Sequence, residues 1–249
     1  YVYADVWRYS ASAASWTFVA ASGDGPPPPG RHDHSAVVYG GELYVYGGRG
    51  AGGEALEDFW RFSLATQQWT QLPTPPGAGA RFGHTAAVTG GDMLVYGGYL
   101  EGAGDAVGEF TTELWSFDLS AGVTAASAAA PGVASGWIQV GPRKFNFQSD
   151  ATESVNDAIV FPAMLPRGRF AHLGLSVSAS GSGSAVYYVL GGLDADHATP
   201  LSDAWMFDPV AREWSVAAFP VAALPAVARY DAALATFGAL GDRVLVFGG

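Results

Sequence analysis

Cysteine is absent from all 249 residues, which excludes a disulfide framework and any metal site built on thiolates. Positive charge is scarce: 12 Lys and Arg stand against 23 Asp and Glu, for a net charge of −11. So acidic a chain lacks the basic clusters that hold phosphates, and nucleic acid is not expected as a partner. No run of about 18 apolar residues occurs, so no membrane insertion is expected. Nor does any stretch of about 10–15 residues keep a clean helical period. The only two asparagines, Asn146 and Asn156, lie outside any Asn-x-Ser/Thr sequon. That leans away from a glycosylated secreted chain and toward the cytoplasm, without naming a compartment. Tyr1 opens directly on strand-like sequence, so no targeting segment can be read.

What is present is aromatic and repetitive. "LYVYGG" (43–48) returns as "LVYGG" (94–98), "YYVLGG" (187–192) and "VLVFGG" (244–249). The double glycines are Gly47-Gly48, Gly97-Gly98, Gly191-Gly192 and Gly248-Gly249. An acidic residue two places before a tryptophan also recurs, in "DVW" (5–7), "DFW" (58–60), "ELW" (113–115) and "DAW" (203–205). These place Trp7, Trp60, Trp115 and Trp205, and a second set follows at Trp16, Trp69, Trp137 and Trp214. An arginine step comes next: "RHDH" (31–34), "RFGH" (81–84), "RFAH" (169–172) and "RYDA" (229–232). The two tryptophans are 9 residues apart in three copies and 22 apart in the other. Four ordered landmarks in register define a repeat of about 50 residues.

Each repeat reads as four short strands, a to d, with Gly, Pro, Asp and Ser at the joints. Strand a follows the arginine, and strand b runs into the double glycine. Strand c carries the first tryptophan, its alternation placing Trp60, Phe62 and Leu64 on one face, and strand d carries the second. Such a period predicts an all-β propeller of blades packed face to face. The pattern resembles the kelch repeat along nearly the whole chain, and that resemblance implies a ring of five to seven blades. Complete blades are expected at 31–73, 81–141 and 169–217, with strands c and d alone at 1–20 and strands a and b alone at 229–249. Residues 120–135 and 142–168 read as insertions. The two half-blades could close a ring of four, but exposed strand edges are a hazard, and the chain is expected to be part of a larger ring.

The landmarks have a structural task. Glycine pairs remove side chains where a neighbouring backbone or ring must approach. A buried aromatic hides about 150–250 Å², worth roughly 4–6 kcal/mol at about 25 cal/mol per Å². The tryptophans are therefore expected in the core, and Trp60→Ala is expected to cost about 3–5 kcal/mol.

Function is expected on the face formed by the b→c and d→a loops, which are long and varied. The b→c loops carry Glu54, Glu57, Glu101, Asp105, Glu109, Asp194 and Asp196 against one arginine, Arg49. Arg31, Arg81, Arg169 and Arg229 begin the innermost strands and are expected at the channel mouth inside that acidic rim. There they would suit a protein segment of mixed charge; alternatively they bridge blades through carbonyls and carboxylates. Arg49, Tyr99, Asp194 and Asp196 complete the candidate contact set. In the long d→a connection, Arg143 with Phe145 and Phe147 reads as an interface anchor or as a tuck onto the ring. His34, His84 and His172 share one repeat position, with Ala232 in the fourth, and are expected as hydrogen-bonded core histidines rather than metal ligands. The proline clusters at 26–29 and 73–76 are expected to stiffen loops.

Catalysis finds no support in these residues. Copper oxidases of the kelch type use a tyrosine crosslinked to cysteine, which this chain lacks. Iron-dependent specifier proteins present Glu-x3-Asp-x3-His; Glu54 and Asp58 keep the spacing, but Phe62 stands at the histidine. No nucleophile elbow, phosphate loop or His-Glu-x-x-His run occurs. The expectation is a non-catalytic protein–protein interaction or scaffold module without a cofactor or metal. Alternatives are a carbohydrate-binding or sugar-acting propeller, and a substrate adaptor of a ubiquitin ligase.

Overall fold

Short runs of valine and aromatics, cut by glycine pairs, produce hairpins. The computed structural model describes residues 1–19, 26–74, 77–102, 108–120, 136–140, 165–178, 185–194, 199–217, 230–237 and 243–248. A ribbon of β1 (Val6–Ser10) and β2 (Ser15–Val19) comes first. The next sheet holds β3 (Ser35–Tyr39), β4 (Glu42–Tyr46), β5 (Phe59–Ser63) and β6 (Trp69–Leu72) in sequence order. Gly40 and Gly41 take φ of 59° and 80° between β3 and β4, the backbone that a two-residue type I′ turn requires.

The following repeat starts with β7 (Arg81–Phe82), then β8 (Thr85–Thr89), β9 (Asp92–Tyr96), β10 (Tyr99–Leu100), β11 (Glu109–Phe110), β12 (Leu114–Asp118) and β13 (Trp137–Gln139). Strands β8, β9, β12 and β13 make its main sheet, while β7, β10 and β11 form a small sheet at one end. A third four-stranded sheet contains β14 (Leu173–Ser178), β15 (Ala185–Leu190), β16 (Ala204–Asp208) and β17 (Glu213–Val216). A ribbon of β18 (Ala233–Phe237) and β19 (Arg243–Phe247) is last. All strand pairings within these sheets are antiparallel. Among the described residues no helix occurs and none is long and apolar enough to cross a membrane. These sheets are blades of a kelch-type β-propeller.

Successive blades meet through two unlike faces. The forward face of the first four-stranded blade offers Val37, Tyr44, Tyr46 and Phe59. The rear face of the second answers with Met93, Val95, Trp115, Phe117 and Trp137. Ring centroids of Phe59 and Phe117 lie 4.8 Å apart, edge to face, within the favoured range for aromatic pairs. The second joint repeats the scheme, with Ala87, Leu94, Tyr96 and Leu114 against Tyr187, Val189, Trp205 and Phe207. Leu173, Leu175, Leu190 and Ala204 then pack against Ala232 and Val246. Trp60, Trp115 and Trp205 are 8%, 6% and 7% exposed.

The ribbon β1–β2 departs from the expectation of buried tryptophans. Trp7 and Trp16 are 52% and 64% exposed. Register places Trp7 opposite Phe18 and Tyr9 opposite Trp16, so four rings share the ribbon's rear face. No forward face of a preceding blade covers them among the described residues, and landmarks alone do not bury a side chain. Leu64, expected on one face with Trp60 and Phe62, lies just past the end of β5 and is exposed.

Candidate functional site

The acidic residue before each tryptophan has a double task. Asp58 accepts both prongs of Arg31, at 2.6 and 2.8 Å, and the Trp60 indole N–H at 2.5 Å. Asp203 does the same for Arg169, at 2.7 and 2.8 Å, and for Trp205, at 2.7 Å. Glu113 takes Arg81 at 2.8 Å and Trp115 at 3.1 Å. Each guanidinium also donates to the first glycine carbonyl of its own repeat: Gly47, Gly97 or Gly191. Arg81 donates further to the Ala78 carbonyl. Burial raises the Asp58 and Asp203 carboxyls, but the arginine and indole hydrogen bonds outweigh it and hold both below the usual carboxylate range.

This geometry corrects the expected arginine ring. Arg31, Arg81 and Arg169 are buried, at 7%, 0% and 0% exposure, and each fork closes on its own blade, tying the start of strand c to the end of strand b. Their charge is consumed inside the protein, and the Arg81 and Arg169 side chains also interact with Tyr46 and Tyr96 of the preceding blades. Their backbone bridges blades as well: the Arg81 carbonyl accepts from Gly48 and the Arg169 carbonyl from Gly98, each at 2.9 Å. The first glycine must be bare for this. A Cβ on Gly47, at φ 59°, would lie 2.7 Å from the Arg81 carbonyl oxygen and 3.0 Å from His84 Cε1.

Histidine completes the joint. His84 Nε2 shares a hydrogen bond of 2.9 Å with Ser35 Oγ of the preceding blade. His172 Nε2 does so at 2.7 Å with Thr85 Oγ1, which also meets Tyr187 Oη at 2.7 Å. Burial, aided by the Arg81 charge, pushes His84 down to about 3; burial and Arg169 likewise push His172 down. Both imidazoles are therefore neutral joint pieces near neutral pH. His34 is exposed. Among the described residues, no group of three His, Asp or Glu is placed to hold a metal ion.

The sequence reading missed two joint elements. Tyr46 donates to the Gly79 carbonyl at 3.4 Å, and Tyr96 to the carbonyls of Pro166 and Arg167 at 3.0 Å. The tyrosine before the double glycine thus reaches the approach to the next arginine, a signal present in "VYGG" at both places. A backbone chain also links the innermost turns: Gly83 N–H to Asp33, Ala171 N–H to Gly83 and Asp231 N–H to Ala171, at 2.9–3.0 Å.

At the end of the blades bearing the b→c and d→a loops, each repeat adds a short pairing beyond its main sheet. His32 bridges Arg49, which bridges Ala55; Phe170 bridges Leu193, which bridges Pro200. In the middle repeat, Tyr99 pairs with both Phe82 and Phe110. Four rings then form a closed circuit: Phe82–Tyr99 at 5.3 Å, Tyr99–Phe110 at 5.5 Å, Phe110–Phe170 at 6.1 Å and Phe170–Phe82 at 5.7 Å. Arg49 caps Phe82, its guanidinium carbon 4.7 Å from the ring centroid. Tyr99, Phe110 and Phe170 are half-buried, and Asp194 pairs with the exposed Arg167 at 3.2 Å. The structure therefore brings Arg49 and Tyr99 to one patch. Arg229, Asp196, Arg143, Phe145, Phe147 and Gly249 lie outside the described residues, as do most of the two insertions. The repeated "RF" at 81–82 and 169–170 was the available signal for Phe82 and Phe170.

Known proteins share this pattern. The model of the KLHDC2/KLHL20/DRC7 Kelch-repeats domain matches residues 1–135, and that of the Kelch motif matches residues 188–218. Multiple epidermal growth factor-like domains protein 8 of Homo sapiens is 38% identical over 76 residues, covering 28% of this chain and 3% of that protein. Its counterpart from Mus musculus shows the same identity and coverage. The matched stretch is thus about 3% of the length of these curated relatives. Kelch domains generally mediate protein–protein interaction and are usually non-enzymatic. With its first family match covering more than half of the residues, the chain belongs to the kelch-repeat family.

Proposed function

We propose that this chain is a non-catalytic interaction module that binds a protein partner through the end of the blades bearing the b→c and d→a loops. The circuit of Phe82, Tyr99, Phe110 and Phe170 capped by Arg49 carries this reading. Half-buried rings on a rigid sheet extension offer a partner apolar area at small entropic cost, which is how interface anchors work. The repeat landmarks are consumed in holding blades together, so they leave specificity to these loops. Asp194 belongs to the proposed contact set, and Arg143, Phe145, Phe147, Asp196 and Arg229 stay in it on sequence grounds alone.

The propeller is proposed to contain further blades. The exposed rear face of β1–β2 matches the rear faces that pack against a preceding blade at both described joints. Photo-crosslinking tests the binding face: p-benzoylphenylalanine at Tyr99 is expected to trap a partner, and the same probe at Leu64, beyond β5 at the opposite end, is not. Adducts from Leu64 with none from Tyr99 would overturn the assignment.

A further inference from the structure

The nature of the partner's contact can be narrowed, resting on the face assignment above. Arg49 is exposed, whereas the Phe82 ring beneath it is only 9% exposed. At 4.7 Å from the centroid, the guanidinium lies within cation–π range of the electron-rich ring face. Its Nε is held by the Gly53 carbonyl at 2.7 Å, within the same loop. Glu54 and Glu57 of the same loop and Glu101 of the next b→c loop stand exposed, and Glu101 fastens the first loop by accepting from the Ala55 N–H at 2.7 Å. One cation, already seated on a ring and a carbonyl, thus shares this end of the blades with three exposed carboxylates.

We propose that the Phe82 ring face is a subsite for a basic side chain of the partner, and that Arg49 is its resident occupant, displaced when the partner's arginine or lysine arrives. The rings supply cation–π attraction and apolar contact for the alkyl stem. The carboxylates draw the cation in and suppress acidic competitors. Arg49 keeps Phe82 covered in the unbound protein. Its side chain is exposed and rests on the ring and the Gly53 carbonyl, outside the buried contact of the sheet faces, so it can swing away and leave that packing in place. An acidic partner would instead need Arg49 itself as its contact, and the two possibilities predict opposite signs for one substitution.

The experiment uses two fluorescein-labelled twelve-residue peptides of Gly, Ser and Leu, one carrying three arginines and the other three glutamates in their place. Binding is followed by anisotropy on the wild-type chain, on Arg49→Ala and on Glu57→Gln/Glu101→Gln, each checked for an unchanged thermal transition. The arginine peptide is expected to bind in preference to the glutamate peptide. Arg49→Ala should tighten it by about 3-fold or more, because the ring is vacated and a like charge removed. The double Gln variant should weaken it by roughly 3- to 10-fold and steepen no salt dependence. The inference is overturned if Arg49→Ala leaves binding unchanged or weaker, if the glutamate peptide is preferred, or if neither peptide binds at about 1 mM. In those cases a crosslink from Tyr99 still preserves the face assignment; its loss, with adducts only from Leu64, removes that assignment as well.

Discussion

Two parts of this molecule carry the same landmarks and differ in fate. In the four-stranded blades, Trp60, Trp115 and Trp205 are buried and their acidic partners are gripped by an arginine fork. In the ribbon β1–β2, Trp7 keeps its hydrogen bond to Asp5, at 2.6 Å, yet is 52% exposed, and among the described residues no arginine reaches Asp5. The local motif therefore forms from its own residues, whereas Trp115 and Trp205 are buried against the forward face of a neighbour. Stability in such a fold resides in joints between repeats as much as in the repeats.

The comparison can be broken most forcefully at the ion pairs. Arg81→Met strands a buried carboxylate at Glu113, 4% exposed, and is expected to cost about 3–5 kcal/mol in denaturant melts. Adding Glu113→Leu should restore much of that loss. Asp5→Asn in the ribbon should change stability by less than about 0.5 kcal/mol. A loss of several kcal/mol there would show that the ribbon is gripped as the blades are.

Tryptophan truncation sharpens the same contrast. Trp115→Ala is expected to cost about 3–5 kcal/mol and Trp7→Ala less than about 1 kcal/mol. In a longer chain supplying a preceding blade, Trp7→Ala should become as costly as Trp115→Ala; equal small costs in both settings would count against further blades on that side.

Glycine substitutions separate backbone strain from joint packing. Gly40 and Gly47 both have positive φ, but a Cβ on Gly40 meets nothing within 4 Å, whereas one on Gly47 would lie 2.7 Å from the Arg81 carbonyl oxygen of the next blade. Gly40→Ala should therefore cost only conformational strain, about 1–2 kcal/mol. Gly47→Ala adds a collision with that backbone across the joint and should exceed it by about 2 kcal/mol. Equal losses would mean that the joint opens freely.

Acid gives the most diffuse effect. Because His84 is pushed from its ordinary 6.5 down to about 3, the unfolded chain binds a proton there between those values and the folded chain does not. Its contribution is complete above about pH 6.5 and is lost as pH falls toward 3. Stability should drop by about 2 kcal/mol between pH 7 and 5 from this group. His172, shifted the same way, adds to it. Asp58 and Asp203, held below the usual carboxylate range, add losses only at still lower pH. His84→Gln should flatten part of the slope, and an unaltered slope would assign the acid sensitivity elsewhere.

The architecture was legible because glycine pairs, tryptophans and arginines recur at fixed offsets, and each offset reflects one joint geometry. What spacing could not supply was direction. Arg31 lies 16 residues before Gly47 whether its fork points into the channel or back onto Asp58, and only the carboxylate's position two places before Trp60 decides it. The aromatic circuit was similarly hidden, since Phe82, Tyr99, Phe110 and Phe170 come from three separate loops. Tyr99 and Arg49 were singled out as loop residues, but what makes them a patch is the cross-loop pairing of Tyr99 with Phe82 and Phe110.

Solvent isotope shifts of the eight tryptophans, labelled as 5-fluorotryptophan and read by 19F NMR in H2O and D2O, test the joint scheme most directly. Trp60, Trp115, Trp137 and Trp205 should show almost none, Trp69 and Trp214 partial shifts, and Trp7 and Trp16 nearly the full shift. Uniform shifts across all eight, or shielding of Trp7 and Trp16 equal to that of Trp115, would contradict the account.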